Sequence, residues 1–322
     1  MRASIPVSIL IAGAWLVAVS GRAQIPGSPT QTPPQTAPQT PSVFRARTDL
    51  VVLHVAVLDR ASQFVPGLEQ RDFHVREDGL LQSISVFERE DTPATIGLVI
   101  DNSGSMRAKL ADVTAAANAF ARASNTANEV FITDFNEHVW SGLPAGLPFT
   151  SDLAVLTQGL AHIQAFGQTA LYDALNRSLD QLQLGTRRRH VLVVISDGGD
   201  NASKARLEDV LKRARDSEVV IYAIGLYDES SDEPNPEVLK ELAAVTGGEA
   251  LFPDDTHQAT QALERIARGI RSVYTIGYTP SNVTRDGRFR RVEVTLDPKQ
   301  DKHLKVRARI GYLAPLGGPD CN

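Results

Sequence analysis

Residues 94–106 read ATIGLVIDNSGSM, an apolar run followed by one aspartate and a set of small polar residues. An uninterrupted apolar run of this length is how a strand buried on both faces is written. The chain leaves it through Asp101, Ser103 and Ser105, two positions apart from one another, with Asn102 and Gly104 between them. Asparagine and glycine are what a tight turn needs. A turn does not need a carboxylate and two hydroxyls directed at one point.

The same pattern returns downstream. HVLVVISD (190–197) is a second apolar strand and again ends in an acid, Asp197, while EVVIYAIGL (218–226) is a third. Between the first two, FGQTALYDAL (166–175) places Thr169 where a loop becomes a helix. The intervals carry helical stripes: Leu110, Val113, Ala117 and Phe120; Leu207, Val210, Leu211 and Ala214; Ala259, Leu263, Ile266, Ala267 and Ile270. Asn235-Pro236 caps and opens one further helix, and Gly247-Gly248 stops it. Strands alternating with helices predict an α/β domain over 94–272, a doubly wound, mostly parallel sheet with helices on both faces. Such sheets hold ligands outside the carboxyl ends of their strands, where strand order reverses.

On either side the texture is β alone. DLVVLHVAVLD, FHVRED and LQSISVFERE precede the α/β region; YTIGYTP, FRRVEVTLD and HLKVRARIGYL follow it. Neither group is large enough for a stable sheet domain. The expectation is one small β-sandwich made from residues 45–93 and 273–314, with the α/β domain inserted, and a tail at 315–322. HLKVRARIGYL reads as a single strand, with Leu304, Val306, Ala308, Ile310 and Tyr312 inward and Lys305, Arg307 and Arg309 on a solvated face. His190, beside Arg187, Arg188 and Arg189, also reads as solvated.

The N-terminus carries Arg2, an apolar stretch from Ile5 to Val19, and a small-x-small end at Ala23. That is the layout of a signal peptide over 1–23, since the apolar stretch is shorter than the ~20 residues of a spanning helix; the other reading is an uncleaved anchor helix. No cysteine follows it for a lipid anchor. Residues 24–44 form a Pro/Thr/Gln-rich linker of extended character. The expectation is an exported protein, periplasmic, cell-surface or secreted, with no stable membrane insertion after cleavage. Across the 322 residues, 42% hydrophobic and 22% charged, the net charge is −5, which offers no electrostatic case for nucleic acid. The one cysteine, Cys321, excludes an internal disulfide and a Cys-based zinc site.

Taken singly, Asp-Asn-Ser-Gly-Ser could be a plain turn, Thr169 an N-cap, and Asp197-Gly198-Gly199 another turn. Together they resemble the von Willebrand factor type A (VWA) domain and its metal-ion-dependent adhesion site (MIDAS), as found in bacterial exported VWA-related proteins. The family's Asp-x-Ser-x-Ser matches Asp101, Ser103 and Ser105; its threonine matches Thr169; its second aspartate matches Asp197. Five oxygen side chains with no histidine or cysteine suit a hard cation. The resemblance implies Mg²⁺ (or Mn²⁺ or Ca²⁺), bound partly through water, with one position open for an Asp or Glu of a protein ligand. Asn102, Gly104 and Gly198 are expected to shape the loops. VWA domains of the integrin type shift their last helix on engagement, and the same shift at 257–271 here would be felt by the β-sandwich, which the sequence does not decide.

Two other readings compete. One is a structural VWA module without a functional metal. The other is a metal-dependent phosphoesterase, but aspartyl-phosphate enzymes place an acid where Ser103 stands. Nor is there a Gly-x-Ser-x-Gly elbow, a His-Glu-x-x-His helix or a phosphate-loop lysine motif. The expectation is a binding protein and not an enzyme.

Overall fold

The computed structural model describes residues 50–89, 91–161, 164–227, 234–299 and 303–317. The expected signal peptide, the linker and the last five residues lie outside them. The first β segment folds as β1 (Val51–Leu58), β2 (Phe73–Glu77), β3 (Leu80–Gln82) and β4 (Ile84–Glu88). The middle region supplies β5 (Ala94–Asp101), α1 (Leu110–Ala123), β6 (Glu129–Phe135), β7 (Val139–Ser141), α2 (Leu153–Ala161) and α3 (Leu171–Leu182). It continues with β8 (Arg189–Ser196), α4 (Leu207–Asp216), β9 (Val219–Gly225), α5 (Pro236–Thr246), β10 (Ala250–Leu251) and α6 (Thr256–Arg271). The second β segment gives β11 (Tyr274–Tyr278), β12 (Phe289–Leu296), β13 (Lys305–Arg307) and β14 (Gly311–Leu313).

The central sheet runs β10-β9-β8-β5-β6-β7, parallel except for the edge strand β7. All of β5 and β9 is buried, and all of β8 except His190. Helices α1, α2 and α6 pack together on one face, and α3, α4 and α5 on the other. That double cover is why these strands are apolar on both sides. Each buried Val, Leu or Ile contributes about 1.5–3 kcal/mol. Because β5 is flanked by β6 on one side and β8 on the other, strand order reverses at β5, the position expected to hold a ligand.

The flanking segments combine as predicted. β1 pairs with β11 and β13, β11 with β4, and β2 with β12 and β3, giving two four-stranded antiparallel sheets. They share a core of Leu53, Val55, Phe73, Val75, Ile276, Tyr278, Val292 and Leu296. A buried carboxylate, Glu77, accepts hydrogen bonds from the hydroxyls of Tyr278 and Tyr312, each at 2.8 Å.

HLKVRARIGYL departs from its reading as one strand. It divides into β13, on the β1 sheet, and β14, on the β12 sheet. The crossing reverses the inside and the outside: Ile310 is 49% exposed, while Arg307 turns in to Glu249 at 2.8 Å and Arg309 lies over the Tyr312 ring. The Arg307–Arg309 face is therefore not solvated. The reading of His190 as solvated is corrected in the same way, together with its neighbour Arg189. Arg189 is 4% exposed and donates to the carbonyls of Thr92 and Ile270, and His190 is half-buried, which lowers its pKa. Ile270 is in the last turn of α6, where carbonyls lack helical partners, so a buried guanidinium is satisfied there.

Candidate metal centre

β5 and β8 run in register, Ile100 beside Ile195, so Asp101 and the Ser196-Asp197 pair leave the sheet side by side. Asp101 is fully buried, and its carboxylate is held from two directions. Oδ1 accepts the Ser103 N–H at 2.9 Å, and Oδ2 accepts the Ser196 hydroxyl at 2.6 Å. The Ser103 and Ser105 hydroxyl oxygens are 3.1 Å apart, and Ser105 Oγ donates to Asp197 Oδ2 at 2.8 Å. Two serines thus span the gap between two carboxylates.

Loop chemistry holds this arrangement. Gly198 has φ +80°, and a Cβ there would lie 2.3 Å from the Asn235 carbonyl oxygen. Only glycine meets both conditions. The turn lets the Gly199 N–H donate to Asp197 Oδ1 at 3.1 Å. Gly104 N–H donates to the Gly167 carbonyl at 3.0 Å, and Phe166 N–H to the Asn102 carbonyl at 2.9 Å. The Asp-x-Ser-x-Ser loop is thereby tied to the loop that carries Thr169.

Thr169 is positioned by its backbone. Its carbonyl accepts from the N–H groups of Asn201 and Ala202, both at 3.0 Å, and its N–H donates to Asn201 Oδ1 at 2.9 Å. Its hydroxyl is not a helix cap, since the first-turn N–H groups of Tyr172 and Asp173 are taken by Asp200 Oδ2 and Ser203 Oγ at 2.9 and 3.1 Å. Nor does it belong to the hydrogen-bond chain that runs from Asp101 through the Ser103 N–H and the two serine hydroxyls to Asp197. The structure links four of the expected residues directly and sets Thr169 on the adjoining loop.

The electrostatics fit a cation. Burial pushes Asp101 up to about 6, and Asp197 adds to the rise, while hydrogen bonds from Ser103 and Ser196 oppose it. Two acids and two bridging hydroxyls offer only hard oxygen donors, the set that Mg²⁺ or Ca²⁺ takes. Among the described residues no three His, Cys, Asp or Glu side chains gather to hold a metal, so a cation here would depend on the hydroxyls.

Two features escaped sequence reasoning. Ser196 supports Asp101 and also accepts the Gly198 N–H at 3.0 Å; its place one residue before the strand-ending acid was the available signal. Asp134, near the end of β6, is 4% exposed and pushed up to about 7 by burial, only partly offset by the neighbouring Asn102 amide. In sequence it was one polar residue within an apolar strand.

Comparison with known proteins agrees with this architecture. The von Willebrand factor type A protein of Catenulispora acidiphila superposes with a TM-score of 0.52 at 13% identity, over 86% of this chain and 76% of its own. The conserved hypothetical protein BatB of Bacteroides thetaiotaomicron gives 0.46 at 17%, over 56% and 100%. Proximal thread matrix protein 1 of the mussel byssus, in a form with a zinc-occupied MIDAS motif, gives 0.47 at 16%, over 60% and 49%. The chain spans about half the length of that last protein. No curated protein matches the chain in sequence. Residues 96–199, about a third of the chain, match the family model of the von Willebrand factor type A domain, and they run from within β5 to just beyond Asp197. With the doubly wound sheet around them, they make this chain a carrier of a von Willebrand factor type A domain.

Proposed function

We propose that the chain is an exported, non-enzymatic binding protein whose VWA domain holds a divalent cation and, through it, an acidic side chain of a partner protein. Asp101, Ser103, Ser105, Thr169 and Asp197 would hold the ion, with Mg²⁺ favoured and Mn²⁺ or Ca²⁺ as alternatives. The ion would supply a charge incompletely neutralised by a shell rich in hydroxyls. The chain's own residues do the rest. Ser196 and the Ser103 N–H orient Asp101, Gly198 sets the turn after Asp197, and the Asn201 and Ala202 amides fix the Thr169 loop.

The carrying observation is the Asp101–Ser103–Ser105–Asp197 chain, which gathers two acids, one fully buried, at the switch point of the sheet. A buried acid with a raised pKa beside a second acid, at the end of the sheet where ligands sit, is a candidate to hold a cation.

Thermal unfolding during Mg²⁺ titration tests the reading, because a ligand of the native state alone raises stability by mass action. Melting should rise with millimolar Mg²⁺ in the natural chain and stay constant in Asp101→Asn. A metal-dependent pull-down from the producing cell should lose its captured protein in chelator. Unfolding indifferent to Mg²⁺, Mn²⁺ and Ca²⁺ ends the proposal and leaves a structural module.

A further inference from the structure

A pocket of about 260 Å³ opens beside the metal loop, on the β6 side, lined by Asn102, Asp134, Trp140, Gly142, Gln164 and Phe166. Two of its polar residues are deeply buried: Asn102 is 0% and Asp134 4% exposed. Among the described residues, Asp134 Oδ1 and the Asn102 amide oxygen have no well-formed hydrogen-bond partner, while the Asn102 amide nitrogen is turned to Asp134 itself. Buried polar groups are nearly always paired, so unpaired ones lining a cavity point to something that enters it.

The lining also says what would enter. A carboxylate and an amide oxygen are both acceptors and call for a donor-rich group. Trp140 and Phe166 are 39% and 49% exposed, large rings left at the surface on the same pocket. Ring faces attract cations. Gly142 keeps the acid open, since a Cβ there would lie 2.5 Å from Asp134 Oδ2. Water alone would answer the acceptors and leave the rings unused. An apolar group would use the rings and strand the acceptors. An ammonium or guanidinium with its alkyl stem answers both.

We propose that this pocket receives a lysine or arginine side chain of the partner protein. Asn102 lies between Asp101 and Ser103, so the pocket and the metal centre share one loop, and the partner would present a basic group close to its metal-bound acid. That pairing rests on the adhesion reading; the pocket's choice of a cation does not.

The test uses the full chain carrying Trp15→Phe, which leaves Trp140 as sole tryptophan, since the chain has two. N-acetyl-arginine amide and N-acetyl-lysine amide are titrated against its fluorescence, with N-acetyl-citrulline amide and N-acetyl-norleucine amide as neutral counterparts, in EDTA and again in Mg²⁺. A saturable change is expected for the two cationic probes in the millimolar range, as suits small ligands. It should weaken at least tenfold in Asp134→Asn. Should that variant fail to fold, Phe166→Ala, at an exposed residue, carries the same expectation. Equal response to the neutral probes, no loss in either variant, or no saturable change overturns the proposal. A chain that takes the cationic probes in EDTA but gains no stability from Mg²⁺ keeps the pocket and loses the adhesion reading; the opposite result loses only the pocket.

Discussion

The two ends of the central sheet handle buried charge in opposite ways. At the amino end of β8, Arg189 is almost fully buried, yet its donors meet the Thr92 carbonyl and the Ile270 carbonyl of the last α6 turn. Around it, Glu249 accepts both Arg265 and Arg307, at 2.7 and 2.8 Å, and Arg271 meets Asp91 at 2.6 Å. This end fastens α6 to the sandwich. At the carboxyl end, Asp101 is joined through the Ser103 N–H, and Ser103 through the Ser105 hydroxyl, to Asp197, and Asp101 is held well above the usual carboxylate range. Charge paired with carbonyls and opposite charges is structural. Two acids brought together at a cost, held by hydroxyls and N–H groups, mark the candidate site.

If the amino end is a fastening, breaking it should cost the most, with or without metal. Arg189→Met keeps the side-chain length and removes the donor from the buried Ile270 carbonyl. Losses of about 1–3 kcal/mol per orphaned group, together with a lost cation at a helix C-terminus, predict a fall of about 3 kcal/mol in urea unfolding. The fall should be the same in EDTA and in Mg²⁺. A loss confined to the metal-bound protein would erase the contrast between the two ends.

The carboxyl end should respond with the other sign. The folded pKa of Asp101, about 6, exceeds its ordinary 3.8, so the folded state binds more protons between those values. Stability from this group is therefore full below the lower value and is lost as pH rises to the upper one. At about 1.4 kcal/mol per unit, the loss at pH 8 approaches 3 kcal/mol. Metal-free Asp101→Asn should accordingly be more stable than the natural chain at pH 8 by up to about 3 kcal/mol, and indistinguishable from it near pH 3. Asp134 pushes stability the same way, and the difference between the two chains removes its share. Metal binding needs the ionised acid, so Mg²⁺ affinity should fall about tenfold per unit below pH 6. A variant destabilised at pH 8 in EDTA would make Asp101 a structural acid like Glu77.

How much of this contrast the sequence discloses depends on whether the deciding partner is local. β5 and β8 are legible because double burial forces a continuous apolar run, and the acids that end them are conspicuous for that reason. The insertion of the α/β domain into a sandwich follows from two β groups each too small to stand alone. Arg189 is not legible, because a carbonyl 81 positions away in α6 decides its burial. The division of HLKVRARIGYL is hidden because both halves keep the two-residue period while pairing with different sheets. Asp134 reads as a polar break in β6, and only the fold brings Gly142 and Asn102 to it.

Thr169 shows the same limit on the site itself, and supplies the smallest expected effect. From sequence it is equally a helix cap or a ligand, since both uses put a threonine at the start of a helix. In the fold Asp200 and Ser203 occupy the first-turn amides of α3, and the Thr169 backbone carries the loop contacts, none of which a substitution of its side chain removes. Thr169→Ala in metal-free protein should therefore shift unfolding by no more than about 0.5 kcal/mol, as for a site whose side chain holds nothing. The same variant should weaken Mg²⁺ by about tenfold in calorimetric titration, and Thr169→Ser should restore it, a hydroxyl being the group concerned. A true cap would show the reverse, with about 1 kcal/mol lost in EDTA and the metal affinity untouched. The two outcomes separate a residue that serves the helix from one that serves the ion.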